Sequence, residues 1–280
     1  MEERSVNIIV LNWNQRDLSL KCISSLEKTT YKNKHIVFVD NGSNDGSSES
    51  VQRQHPGVEI VELENNLGYA GGNNLGFNSI RNKSKYTIFL NNDTYVDPCF
   101  IEPLIDELES NSLSIQSVPK IFYAKENDRV WYAGGSISFI LSQIRHIGIR
   151  SNNSEKYNKR LKVDYATGCC FCIRSDDFVK FGMFDENYKM YCEDVDLSLK
   201  IRKNGGQIVY IPNSKVWHHV SMSLGGVSSF SKWRKKQLSI LKLILEHGNI
   251  LFFPISIVFY VINALLSFLF IGILKIMKKK

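Results

Sequence analysis

Glu193-Asp194-Val195-Asp196 places three carboxylates within four residues of a 280-residue chain. Such crowding of like charge is costly unless a cation or an acceptor hydroxyl lies nearby, and it pushes one pKa toward general-base duty. The competing reading is a solvated helix start, but Met183, Phe184, Met190 and Tyr191 just before the cluster argue against full exposure. Asp93 closes a second cluster, Asn91-Asn92-Asp93. At a strand mouth, a carboxylate flanked by amides suits a hard divalent cation that also takes ligands from substrate phosphates. The same residues also suit an Asx turn or the cap of a helix near Pro98. His218 and His219, beside Trp217, offer imidazole ligands. Asp40, opening Asp40-Asn-Gly-Ser-Asn-Asp45, is placed to accept hydrogen bonds from a ribose or base. The Gly/Asn-rich stretch Asn65–Asn74 fits neither a P-loop nor a Gly-x-Gly-x-x-Gly dinucleotide pattern. It still supplies backbone and amide groups beside a helix N-terminus, which suits phosphate or sugar oxygens.

These residues need a frame, and the first hundred positions provide one. Apolar runs at Val6–Leu11, His35–Val39, Val58–Leu63 and Tyr86–Leu90 read as strands. Between them lie helical patterns: one with Leu18, Cys22, Ile23 and Leu26 on one face, one near Ser47–Gln54, and a short one reaching Arg81. That alternation predicts βαβ units and an α/β fold with a mostly parallel sheet flanked by helices. Each run ends in a polar cluster, and ligands in open α/β sheets bind outside the carboxyl ends of the strands. Further on, β-like runs are expected at Ser114–Tyr123, Ser136–Ile149 and Gln207–Ile211, with a turn at Trp131–Gly135 and a basic loop at Lys156–Lys162.

With 43% hydrophobic and 22% charged residues, the chain can bury a sizeable core, which excludes disorder and small disulfide scaffolds. The basic excess is local. Residues 1–231 hold 26 basic and 27 acidic side chains, whereas the remainder holds nine basic and one acidic. A nucleic-acid binder would spread basicity over its folded body, so no nucleic-acid partner is expected. The six cysteines lack metal or disulfide spacing and read as reduced and structural. The apolar run after Met1 is too short for a signal-peptide core. Lys232–Glu246 reads as a basic amphipathic helix, and Ile250–Leu274, uncharged over 25 residues, is long enough to cross a bilayer with tilt. Pro254 and Asn263 also allow a re-entrant hairpin. Lysines on both sides of the segment leave its orientation open. The expected organisation is a catalytic domain at 1–225, a basic linker helix at 226–249 and a hydrophobic membrane segment with a basic end at 250–280.

The order of these motifs resembles the glycosyltransferase family 2 enzymes, inverting transferases of the GT-A fold, and within them a rhamnosyltransferase-like branch. The likeness runs from Val6 to Ser223. It rests on Ile9-Val-Leu-Asn-Trp-Asn14, Val39-Asp-Asn-Gly-Ser43, Asn66-Leu-Gly-Tyr-Ala-Gly-Gly-Asn73, Leu90-Asn-Asn-Asp-Thr94, Gly182-Met-Phe-Asp-Glu186 with Tyr191-Cys-Glu-Asp-Val-Asp196, and Trp217–Ser223.

The resemblance implies a nucleotide-sugar pocket lined by Asn12, Asp40, Asn66, Gly68, Gly72, Asn73 and Asn92. It implies Mg²⁺ or Mn²⁺ on Asp93 and His218, and Asp194, beside Glu193, as catalytic base. Asn91 stands where the family's Asp-x-Asp metal motif has its first Asp, as in many members of the branch, so phosphates must supply much of the coordination. Trp131, Thr167 and Gly168 are expected on the acceptor side. The implied reaction is single displacement of a nucleoside diphosphate from a sugar donor, first choice dTDP-rhamnose. The acceptor would be a hydroxyl on a lipid-linked saccharide of surface polysaccharide synthesis, at the cytoplasmic face of a bacterial membrane. Alternatives are a UDP-galactofuranose, UDP-glucose or UDP-N-acetylglucosamine donor on the same fold, a non-catalytic membrane-tethered sugar-nucleotide binder, or a basic peripheral protein acting through its tail.

Overall fold

β1 (Val6–Asn12), β2 (Lys34–Asp40), β3 (Glu59–Glu62) and β4 (Tyr86–Asn91) lie parallel in the spatial order β3-β2-β1-β4. They are linked by α1 (Arg16–Glu27), α2 (Ser47–Gln54) and α3 (Gly68–Ser79). Apolar residues run almost unbroken through β1, β2 and β4 because helices cover the sheet. This computed structural model describes residues 4–188, 190–220 and 230–277, except for the side chains of 127 and 273–277. The expected boundary at 225, and Ser223 of the last motif, lie outside the described residues.

After β4 come β5 (Thr94–Val96), α4 (Ile101–Ser110), β6 (Ser114–Tyr123) and β7 (Glu126–Tyr132). Then follow β8 (Gly135–Ser138), β9 (Gln143–His146), β10 (Ser151–Asn152), β11 (Leu161–Val163), β12 (Cys170–Arg174), α5 (Ser175–Lys180), α6 (Glu193–Lys203) and β13 (Gln207–His218). β12 runs antiparallel between β4 and β6 and so joins the parallel half to the second half of the sheet. β13 pairs parallel with β6 and antiparallel with β5 and β11. Where strands meet, rings of Phe89, Phe171, Phe178 and Phe184 pack edge-on or tilted, with Phe89 centred 4.7 Å from Phe178 and 5.1 Å from Phe184.

Three expectations are refined. On α1 Ser19, rather than Leu18, joins Cys22, Ile23 and Leu26 in the fully buried set, and its hydroxyl donates to Asn12 Oδ1 at 2.9 Å. The run at 136–149 is a separate two-stranded hairpin, β8–β9, turning at Phe139–Ser142. β13 continues past Ile211 to His218 because a register shift between Ile211 and Lys215 absorbs Pro212, which cannot donate to the ladder. All six cysteines are free thiols, five of them buried.

Two helices complete the described chain: α7 (Phe230–His247) and, after one 3₁₀ turn, α8 (Phe253–Met277). α7 docks on the body around the acidic segment. Ser239 Oγ donates to Met190 O (2.9 Å), Lys242 Nζ pairs with Asp185 (2.5 Å), and the Tyr188 hydroxyl donates to Glu246 (2.8 Å). By length and composition Ile250–Gly272, with mean hydropathy 2.3, is apolar enough to cross a membrane.

Candidate functional site

The registers Asn12↔Asp40, Asp40↔Glu62 and Leu11↔Asn91 bring the polar ends of all four parallel strands to one sheet edge. Behind that edge lies a hydrogen-bonded frame. Asn12, fully buried, donates to Asp40 Oδ1 (3.3 Å) and Ser43 Oγ (3.0 Å), while its own Oδ1 accepts from Ser19 and from Asn92 Nδ2 (2.8 Å). Asp40 also accepts from the Ser43 amide (3.2 Å) and the Ser48 hydroxyl (2.9 Å). Thus Asn12, Asp40 and Asn92 are brought together, with their side chains engaged with one another and with Ser19, Ser43 and Ser48.

The Asn66–Asn73 segment forms the neighbouring wall. Asn66 Oδ1 accepts from the Gly68 amide (2.8 Å) and from Asn41 Nδ2 (3.1 Å), which fixes the start of α3. Asn73 is buried and donates to Tyr69 O. Gly72 faces inward: a Cβ there would lie 2.7 Å from Leu11 Cδ1 and 3.0 Å from Asn41 Nδ2. Its small size lets α3 press against the sheet. Asn66 and Gly68 keep partial exposure at the rim.

Asp93 and His218 meet because β5 and β13 pair antiparallel with Thr94 opposite His218. Both side chains are buried, and His218 Nε2 stands 3.1 Å from Asp93 Oδ1. Among the described residues, the carboxylate oxygen has no hydrogen-bond partner, and neither has His218 Nδ1. Two ligands on one octahedral Mg²⁺ or Mn²⁺, at bonds of about 2.1 Å, would sit about 3 Å apart. The orphaned oxygen and its imidazole neighbour therefore fit a shared cation. A second ligand-type cluster, Asp196, Glu246 and His247, already has a resident cation, since Lys200 Nζ lies 2.7 Å from Asp196 Oδ2.

The acidic segment enters through two left-handed residues, Tyr191 (φ 69°) and Cys192 (φ 73°), a costly backbone that persists because packing on both sides enforces it. It sets Glu193 and Asp194 in the first turn of α6. Asp194 Oδ2 accepts from the Gly168 amide (2.7 Å) and Oδ1 from the Val195 amide (2.8 Å). Burial raises the Asp194 pKa while those amides oppose the rise. Glu193 is buried with Oε2 unpartnered, and burial, then the charge of Asp194, pushes its pKa up to about 8. Asp194 accepts from the amides of two other residues, whereas Glu193 Oε2 has no partner among the described residues, so Asp194 is the better placed of the two to carry the charge.

Gly168 is held from two sides. While its amide holds Asp194, its carbonyl accepts from the Tyr69 hydroxyl at 2.6 Å, so α3 and α6 grip the same peptide segment. Thr167 is buried beside it. Cys169 O accepts from the Asn91 amide (2.9 Å), so the 168–169 peptide joins the end of β4 to Asp194; burial, and after it the Asp93 charge, raises the Cys169 thiol pKa. Trp131 stands beside the Asp93–His218 pair. Its ring meets His218 edge-on at 4.6 Å and His146 at 4.4 Å. His146, Tyr69 and Ser19 escaped sequence reasoning. His146 is held neutral by burial, with its pKa lowered to about 4. The GYAGGNN run carried a signal for Tyr69, its one aromatic ring among glycines and amides.

Comparison with known proteins gives the same direction. The chain is 26% identical over 221 residues to N-acetylglucosaminyl-diphospho-decaprenol L-rhamnosyltransferase of Mycobacterium tuberculosis, covering 72% of each chain. It is 24% identical over 223 residues to rhamnosyltransferase WbbL of Escherichia coli K12, covering 76% of this chain and 83% of that one. Its fold matches a crystal structure of GalNAc-T7 with UDP, GalNAc and Mn²⁺ (TM-score 0.68, 16% identity, 87% of this chain). It also matches Staphylococcus aureus TarS (TM-score 0.57, 16% identity, 88% of this chain). This chain spans 48% and 40% of those two structures. The family model for glycosyl transferase family 2 matches residues 7–182, and the chain, a glycosyltransferase with a GT-A-like α/β fold, belongs to that family.

Proposed function

We propose that the protein transfers a sugar with inversion from a nucleoside-diphosphate donor, first choice dTDP-rhamnose, to a hydroxyl of a lipid-linked saccharide. One observation carries this reading: the 168–169 peptide reaches both groups, since Gly168 N–H donates to Asp194 while Cys169 O accepts from the Asn91 amide, two residues before the Asp93 that meets His218. A donor diphosphate and an acceptor hydroxyl require such an arrangement, with a charge-offsetting pole and a base on opposite sides of the reacting carbon.

Asp93 and His218 would hold Mg²⁺ or Mn²⁺, which supplies neutralisation of charge on the departing diphosphate. Asp194, ionised and aimed by the Gly168 and Val195 amides, takes the acceptor proton, while protonated Glu193 adds no competing charge. Asn66, Gly68 and the frame behind them shape the donor pocket, and Trp131, Thr167 and Gly168 border the acceptor. Rhamnose is supported by the names of the mycobacterial and Escherichia coli relatives, and a lipid-diphosphate acceptor by that of the mycobacterial one. We assign the catalytic body to 1–225, the basic linker helix to 226–249 and the membrane-attached segment to 250–280, at the cytoplasmic face of a bacterial membrane.

The test is a sugar-nucleotide panel with Mn²⁺ or Mg²⁺, scoring diphosphate release with and without a lipid-acceptor extract. Release from one donor that needs the extract and is lost in Asp194→Asn supports the reading. Donor binding without turnover in the presence of acceptor overturns it.

A further inference from the structure

The four polar side chains between Phe253 and Gly272 are Ser256, Tyr260, Asn263 and Ser267. Spacings of four, three and four residues put them on one face of α8 at 3.6 residues per turn. That face is turned to the protein along its length. Ser142 Oγ donates to Ser256 O (2.6 Å), and Asn263 Nδ2 donates to Leu141 O (2.8 Å), both in the β8–β9 turn. The Tyr260 hydroxyl donates to Gln237 O (3.2 Å), and Trp233 Nε1 donates to Ser267 Oγ (2.8 Å), both on α7. The opposite face is bare: Ile255, Val258, Ile262, Leu265, Leu266 and Leu269 are all exposed.

A bilayer-crossing α8 is incompatible with these contacts. Asn263 and Ser267 lie near the middle of the helix, so a crossing would carry the β8–β9 turn and α7 to the depth of the hydrocarbon centre. Arg234, Lys235 and Lys236, exposed on α7 beside Trp233 and Gln237, would go with them. Each such charge costs about 2.5 kcal/mol or more at mid-bilayer. With the helix parallel to the surface, the apolar face enters one leaflet and the basic residues remain at headgroup level, where anionic lipid attracts them. Ile140 and Leu141 at the exposed hairpin turn extend the apolar surface.

We propose that α8 does not span the membrane but lies flat in one leaflet, with α7 and the β8–β9 turn forming a single face for an anionic phospholipid surface. This rests on the membrane attachment proposed above and on no assignment of donor or acceptor.

The test uses the full chain with a protease-cleavable C-terminal tag. It is floated with phosphatidylethanolamine–phosphatidylglycerol vesicles and with phosphatidylcholine vesicles, and is also expressed in cells from which sealed right-side-out and inverted vesicles are made. Flat placement predicts stronger flotation with the anionic vesicles and cleavage of tag and body from the same side. It also predicts at least about tenfold weaker flotation for the double variant Leu265→Glu, Leu266→Glu. Those side chains are exposed, and an unchanged circular dichroism spectrum verifies its fold. A bound protein whose tag is cut from the side opposite the body overturns flat placement and leaves attachment standing. Wild-type flotation that ignores the double variant also overturns it. Absence of flotation with either vesicle overturns attachment itself.

Discussion

His247 Nε2 lies 2.7 Å from Asp196 Oδ1, across 51 positions of sequence, and ties the tail helix α7 to the helix that begins with Glu193 and Asp194. Asp196 is only 1% exposed, so its charge depends on the partners that surround it. With Tyr188–Glu246 and Lys242–Asp185, this contact makes the tail a splint for the acidic segment.

Replacing His247 with Ala leaves Asp196 with Lys200 as its counter-charge and is expected to cost about 1–3 kcal/mol of stability. Urea unfolding measures the loss. Turnover should fall more than donor affinity, because α6 carries the base and not the donor wall. Unchanged kcat with weakened donor binding would contradict the splint.

For Asp194→Asn the expected loss in turnover is about 10²–10⁴-fold with donor binding retained, the range for removing a positioned base. Glu193→Gln should retain most activity at neutral pH, since it mimics the protonated form. Diphosphate release at saturating donor compares the two, and equal losses would reject the division of labour.

The raised Glu193 pKa also sets a pH signature. A carboxyl whose folded pKa exceeds its unfolded value binds protons on folding, so stability falls as pH rises from the ordinary Glu range near 4.5 to about 8 and is level beyond. Glu193→Gln removes this fall. Denaturation at pH 5 and pH 8 should show the variant gaining on the wild type at the higher pH, by up to a few kcal/mol. A gain at the lower pH would reverse the sign and refute the assignment.

Chelation should abolish turnover, with Mn²⁺ restoring it. Asp93→Ala and His218→Ala should each raise the Mn²⁺ concentration for half-maximal rate at least about tenfold. Binding has a separate readout. Trp131 packs 4.6 Å from His218, so Mn²⁺ should quench part of the tryptophan fluorescence, and Trp131→Phe should remove that part.

Much of the frame was legible because period and polarity encode it. The four parallel strands lie where β-branched runs end in amides, and α2 and β6 match their expected limits. What escaped depends on three dimensions. Ser19 looks like an exposed helical serine until Asn12 and Asn92 are seen to converge on it. That Gly72 packs against Leu11 and Asn41, the side chains within reach of a Cβ there, is not visible in its Gly/Asn-rich run. The edge-on packing of Trp131 against His218, 87 residues on, is likewise invisible in one dimension. The difference between Glu193 and Asp194, adjacent and chemically alike, arises from the Gly168 amide, 26 residues from Asp194.

Gly168 also limits how this architecture can diversify. Both polar atoms of its backbone are engaged, and a Cβ would lie 2.9 Å from the Tyr69 hydroxyl oxygen and 3.4 Å from Asp194 Oδ2. No larger residue enters without displacing the Tyr69 hydroxyl that holds this peptide. Descendants that adopt a new acceptor must therefore change the surrounding rim, around Trp131, His146 and the β8–β9 turn, while this peptide remains the fixed point of the chemistry.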